Sequence, residues 1–144
     1  MSNALMDSDS STQLLVHQFL RRTLPKSAWT HEAHLRVGLW HVLHFAPDEA
    51  LARLRTGIRA LNESHGTPNT DSGGYHETIT RFYVCWIVSF LSQAGSDRPI
   101  DDLAHELVHA AGDSQLPLQY YSRERLFSVQ ARQTWVEPDL QPLP

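Results

Sequence analysis

Apolar side chains recur at spacings of three and four in five runs of helical length, and proline- and glycine-containing breaks separate the runs. The breaks fall at Pro25, at Pro47, between residues 66 and 74, between 95 and 99, and between 112 and 117. The first run, Thr12 to Leu24, aligns Leu15, Val16, Phe19 and Leu20, and Pro25 follows its end. The second opens at Thr30, a good N-cap, carries Glu32 in its first turn, aligns Leu35, Leu39, Val42 and Leu43, and runs to about Phe45. The third starts at Pro47, a favoured first-turn residue, and aligns Leu51, Leu54, Ile58 and Leu61 until Gly66 stops it. The fourth, about Tyr75 to Gln93, is apolar nearly all round after its first turn, which predicts the central, most buried helix. The fifth, about Pro99 to Ala111, places Ile100, Leu103, Ala104, Leu107 and Ala111 on one face. No stretch alternates with period two long enough to make a strand. The pattern predicts an all-α, single-domain bundle of about five helices over residues 12–144, preceded by a polar, disordered tail at 1–11.

The segment 117–144 differs from the rest. It is rich in tyrosine, phenylalanine, tryptophan and arginine, and from Pro138 its prolines impose an extended backbone. Ser128 is placed to cap a short helix ending near Trp135, and Leu140 and Leu143 give the tail something to dock with. The segment is therefore expected to pack across the bundle.

Composition changes the picture in one respect. The chain of 144 residues has a formal net charge of −4, which disfavours a nucleic-acid surface, and its longest apolar run, Phe82 to Leu91, is about half the roughly 20 residues that cross a bilayer. The N-terminus lacks the basic and apolar regions of a secretory signal, and the single cysteine, Cys85, has no partner for an internal disulfide. A cytoplasmic protein with neither nucleic-acid nor membrane partners is expected. The unusual count is nine histidines, about 6% of the chain where roughly 2% is ordinary.

Two of them form the pattern His105-Glu106-Leu107-Val108-His109, which matches the zinc-protease motif. With Ile100 as zero, however, His105 and His109 lie at about 140° and 180°, opposite the apolar stripe, and Gln115 stands where a third ligand would be. A solvated helix face is the expected reading. A paired histidine motif on a late helix also resembles the DinB-type four-helix metal proteins, and that resemblance implies a metal site shared with another helix.

A better candidate lies in Trp29-Thr30-His31-Glu32-Ala33-His34-Leu35 and Gly74-Tyr75-His76-Glu77-Thr78-Ile79-Thr80, the polar first turns of two otherwise apolar helices. Short connections make successive helices antiparallel, so the second and fourth point the same way and their N-termini share one end of the bundle. Histidine and glutamate there suit a divalent transition metal, with His31, His34, His76 and Glu77 as the ligand pool. They also suit acid–base chemistry, with Glu32 and Glu77 as the catalytic carboxylates, or an anion held by the two N-termini. Tyr75, Arg123 and Arg125 are the candidates for gripping a small, anionic ligand. The competing expectation is that these pairs only cap helices and form salt bridges, with Glu77 four residues before Arg81.

Together with Tyr121 to Ser128 and Trp135-Val136-Glu137-Pro138-Asp139-Leu140, these motifs resemble a family of small uncharacterised bacterial proteins, from about Trp29 onward. The resemblance implies a stand-alone bacterial domain and carries no assigned activity. Two functions are thus expected from the residues: a small-molecule enzyme or binding protein with its site at the bundle end, or a non-enzymatic homodimer joined through the C-terminal segment.

Overall fold

The computed structural model describes residues 10–144, and every regular element among them is helical. Seven α-helices follow in order: α1 (Ser11–Leu20), α2 (His31–His44), α3 (Pro47–Ser64), α4 (Glu77–Ala94), α5 (Ile100–Ala111), α6 (Arg123–Leu126) and α7 (Val129–Gln133). Single 3-10 turns at Lys26–Ala28 and Leu116–Gln119 complete the set. The all-α bundle is as the periodicity predicts; α7 is the short helix that Ser128 caps, and α6 is added before it. Of the predicted tail, residues 1–9 lie outside the described residues, while Ser10 caps α1 and Ser11 opens it.

Side-chain caps set most of the helix starts. Ser10, Thr30, Ser122 and Ser128 each accept a hydrogen bond from the backbone N–H three residues on. The first helix ends at Leu20, four residues before the predicted Leu24, because Arg22 turns left-handed at φ 59° and the Thr23 N–H folds back onto the Gln18 carbonyl. A glycine normally marks such a stop, so the sequence carries no sign of this one. Leu24 is buried nevertheless, from the loop.

α2, rather than the expected fourth helix, is the central element. It packs on α1, α3, α4 and α5, and it feeds both hydrophobic clusters: Leu35 and Leu39 enter one with Phe82, Leu103 and Leu107, while Val37 enters the other with Val16, Phe19, Leu54 and Val84. α4 packs comparably at its start, but its far half is more open, with Val88 37% exposed. The apolar periphery of α4 past Ile87 has fewer neighbours to cover it.

The C-terminal segment is core as well as cover. Tyr121, Leu126, Ala131 and Val136 are buried in the same cluster as Leu35 and Leu39. The Tyr121 hydroxyl donates to the Val136 carbonyl at 2.7 Å, and Thr78 Oγ1 both donates to the Thr134 carbonyl and accepts from the Val136 N–H. The tail then crosses back, with the Leu140 N–H on the Tyr120 carbonyl and Leu143 against the core, while Leu140 itself stays 57% exposed.

Candidate functional site

α2 and α4 run parallel, as predicted. His31 meets Tyr83 edge-on at 5.5 Å, and further along both helices, two turns on in α2 and one in α4, a Cβ on Gly38 would sit 3.1 Å from Ile87 Cδ1. That close approach needs the missing side chain of Gly38. Where the helices open toward their N-termini, with α3 as the third wall, they leave a cavity of about 300 Å³. Its walls are apolar, from Leu35, Leu54, Ile58, Ile79, Val84 and Ile87, and its polar groups are His31, His34, Thr80 and Tyr83. No charged side chain lines it.

The chemistry of those polar groups follows from what each already holds. His31 Nε2 lies 3.0 Å from the Ala111 carbonyl, which can only accept, so Nε2 carries a proton and Nδ1 is the ring nitrogen left without a partner. His34 donates from Nδ1 to the Thr30 carbonyl at 2.7 Å and stacks on Trp29 with centroids 3.7 Å apart, leaving the Nε2 lone pair. Desolvation against that packing, opposed by the Thr30 bond and aided by His31, holds its pKa below the ordinary imidazole value. The Tyr83 hydroxyl is buried without a hydrogen-bond partner among the described residues. Burial, with the Asp113 charge adding to it, pushes the phenol pKa up, so the group stays protonated and an available donor.

Of the predicted site residues, His31 and His34 reach this cavity and the other members of the pool do not. His76 is the N-cap of α4: its Nδ1 accepts from the Ile79 N–H at 3.2 Å and its Nε2 donates to the Leu126 carbonyl at 2.8 Å. Both ring nitrogens are occupied, which leaves no lone pair for a metal. Glu77 faces the other side of α4, where Arg55 grips it through two bonds of 2.7 and 2.8 Å and the Tyr75 hydroxyl donates a third. Burial would raise the Glu77 pKa, but these bonds and the charges of Arg55 and Arg81 overcome it and lower the pKa. The expected metal set is therefore corrected. Its members hold separate partners, and among the described residues no three His, Cys, Asp or Glu side chains gather closely enough to hold a metal ion.

Glu32, expected as a catalytic carboxylate, is exposed and pairs with Arg36 one turn on, outside the cavity. Arg123 and Arg125 do not close over the bundle end. Arg123 bonds Gln115 and Arg125 bonds the Glu137 carbonyl, at the far surface of the C-terminal segment. His105 and His109 are exposed on α5, and Glu106 between them pairs with Arg98.

Tyr75 and Glu77 do share a concavity, a polar groove of about 550 Å³ between α3, α4 and α7, with Arg55, Arg59, Arg81 and Arg132. Sequence reasoning names Arg81 only as a partner for Glu77 and does not bring these four arginines together. The available signal is the one-turn spacing of Arg55 and Arg59 on α3 and of Glu77 and Arg81 on α4, which stacks each pair along one helix face.

The histidine excess has a structural explanation. Six of the nine rings donate an N–H to a backbone carbonyl: His34, His41 and His44 to the residue four back on α2, and His31, His65 and His76 across the fold to Ala111, Leu24 and Leu126. Burial holds the pKa values of His41 and His76 below the ordinary value. Compared with models of protein families, with curated proteins and with solved structures, the chain matches none. No helix among the described residues is long and apolar enough to cross a membrane.

Proposed function

We propose that the protein binds a small, neutral, largely apolar molecule carrying a hydroxyl or N–H group, in the cavity between α2, α3 and α4. The observation that carries this reading is an apolar cavity bordered by two histidine rings, each of which already donates one ring N–H to a backbone carbonyl, with the Tyr83 ring beside them. An apolar cavity of roughly 150 Å³ holds one benzene ring, so about 300 Å³ suits a molecule of one or two rings. The lone pairs on His31 Nδ1 and His34 Nε2 favour a ligand that donates a hydrogen bond, and the absence of a charged lining favours a neutral one.

The test is a titration of the intact protein with phenol, indole and 2-naphthol, followed by thermal shift and by ¹H–¹⁵N NMR. At least one should bind saturably, with shifts confined to the first turns of α2 and α4, and Ile58→Trp should abolish the binding by filling the cavity while the fold persists. Absence of saturable binding by all three, or binding unchanged in Ile58→Trp, would overturn the reading.

Self-association is a second reading, favoured by Phe127 and Val129, which stand 54% and 49% exposed side by side on the C-terminal segment. Deleting residues 118–144 cannot test it, because Tyr121, Leu126 and Val136 belong to the core. Phe127→Ser with Val129→Ser leaves the core intact. The pair should convert a concentration-dependent dimer to monomer in sedimentation, and a wild-type protein that sediments as monomer at all concentrations would end this reading.

A further inference from the structure

The groove between α3, α4 and α7 is charge-unbalanced. Arg55, Arg59, Arg81 and Arg132 line it against two carboxylates, Glu77 and Asp71, a formal excess of +2 in a chain whose net charge is −4. Arg55 is neutralised by Glu77. Arg132 donates from Nη1 to the main-chain carbonyls of Gly74 and Tyr75, at 3.0 and 3.3 Å, so its charge meets only neutral acceptors. Arg81 lies over the Trp135 ring, 4.6 Å from its centroid, a contact that orients the guanidinium without using its N–H groups. Arg59 is exposed and, among the described residues, has no carboxylate within 4 Å.

We propose that this groove binds a small phosphate monoester as its dianion. Two negative charges match the excess, and guanidinium groups pair with phosphate oxygens through two parallel N–H bonds, which an ammonium cannot do. The wall of the groove is set in advance. Glu77 holds Arg55 while Tyr75 holds Glu77, and the loop leading into Tyr75 turns at Gly74, whose φ of +77° and close approach to the Pro68 carbonyl exclude a side chain. The volume of about 550 Å³ suits a small molecule rather than an extended chain. None of the residues lining the apolar cavity lines this groove, so the inference stands independently of the function proposed above.

The experiment uses the full chain and inorganic phosphate at fixed ionic strength, followed by ¹H–¹⁵N NMR that includes the arginine Nε–Hε signals. Saturable shifts confined to the groove are expected. Sulfate, also a dianion, should compete for them, and acetate should bind at least about tenfold more weakly than phosphate. Replacing the two arginines whose side chains make no hydrogen bond to the described fold, Arg59→Gln with Arg81→Gln, should lower phosphate affinity at least about tenfold. Arg59→Gln alone, at an exposed position, provides a folded variant with a smaller loss in the same direction. Shifts that never saturate, acetate binding as tightly as phosphate, or an equal loss in Arg123→Gln with Arg125→Gln, a pair that does not line the groove, would overturn the proposal. Vesicles containing phosphatidic acid separate the sources of phosphate: co-sedimentation with vesicles and no response to soluble phosphate would overturn a soluble ligand, whereas a response to soluble phosphate with no co-sedimentation supports it.

Discussion

The first turns of α2 and α4 carry the same pair of letters, histidine then glutamate, and put them to opposite uses. In α2 the cap is Thr30, so His31 and Glu32 are already inside the helix; His31 borders a cavity and Glu32 lies on the surface with Arg36. In α4 the histidine is itself the cap, so His76 is consumed by the backbone and Glu77 is the first helical residue, buried against Arg55. An offset of one residue relative to the helix start is a rotation of about 100°. That rotation decides whether a glutamate is solvated or locked. A repeated motif therefore predicts a repeated environment only when its register to the cap is also repeated.

The sharpest way to break this comparison is to remove each glutamate. Glu77→Ala strands Arg55 and the Tyr75 hydroxyl in a partly buried setting and should cost about 2–3 kcal/mol in denaturant unfolding. Glu32→Ala should stay within about 0.5 kcal/mol, as exposed one-turn pairs do. Equal losses would mean the two first turns are equivalent after all. Removing the histidines comes next. His76→Ala loses a cap and a link to Leu126 and should cost about 1–2 kcal/mol by the same measurement, whereas His31→Ala loses one bond to Ala111 and should cost about 1 kcal/mol or less.

Acid should act on both turns. Burial holds His34 in the first turn of α2, His41 further along it and His76 at the start of α4 below the ordinary 6.5, so the unfolded chain binds these protons more readily than the folded one. Stability is then full above pH 6.5 and declines as pH falls through it toward the depressed values. Protonation at His76 Nδ1 also sets a donor against the Ile79 N–H. The lowered Glu77 pKa adds a second loss as pH falls below its ordinary 4.5. A melting temperature that does not fall between pH 7 and pH 5 would contradict this. His76→Asn, which retains a capping oxygen, should flatten the upper limb.

The smallest effect has the opposite sign. Tyr83→Phe removes a buried hydroxyl that has no partner and should stabilise the free protein by about 1 kcal/mol, read as a melting temperature higher by about 3 °C. The same change keeps the ring that lines the cavity, so the phenolic probes should still bind, and a loss of their binding would place the hydroxyl in the site.

Helix positions were legible in the sequence wherever a cap or a breaker is a residue with that habit: Thr30 and Pro47 at helix starts, Gly66 at a stop, and Ser128 before α7. The stop at Arg22 and the cap at His76 were not, because neither residue type usually does that work. The parallel course of α2 and α4 was readable from loop lengths, and with it the end of the bundle where the cavity lies. Partners across the fold were not readable. That Glu77 takes Arg55 of α3 rather than Arg81 one turn away depends on how α3 and α4 are rotated against each other, which no local spacing records.

The Thr78 hydroxyl, clasped between the Thr134 carbonyl and the Val136 N–H, has a consequence for synthesis. A growing chain presents α1, α2 and α3 to one another tens of residues before it presents the groups that close over the start of α4. At about 5–20 residues per second, the wait between making Thr78 and making Val136 lasts several seconds. Through that interval the nascent protein carries an unfinished core, and the start of α4 stays uncovered until residues 134–136 have been made.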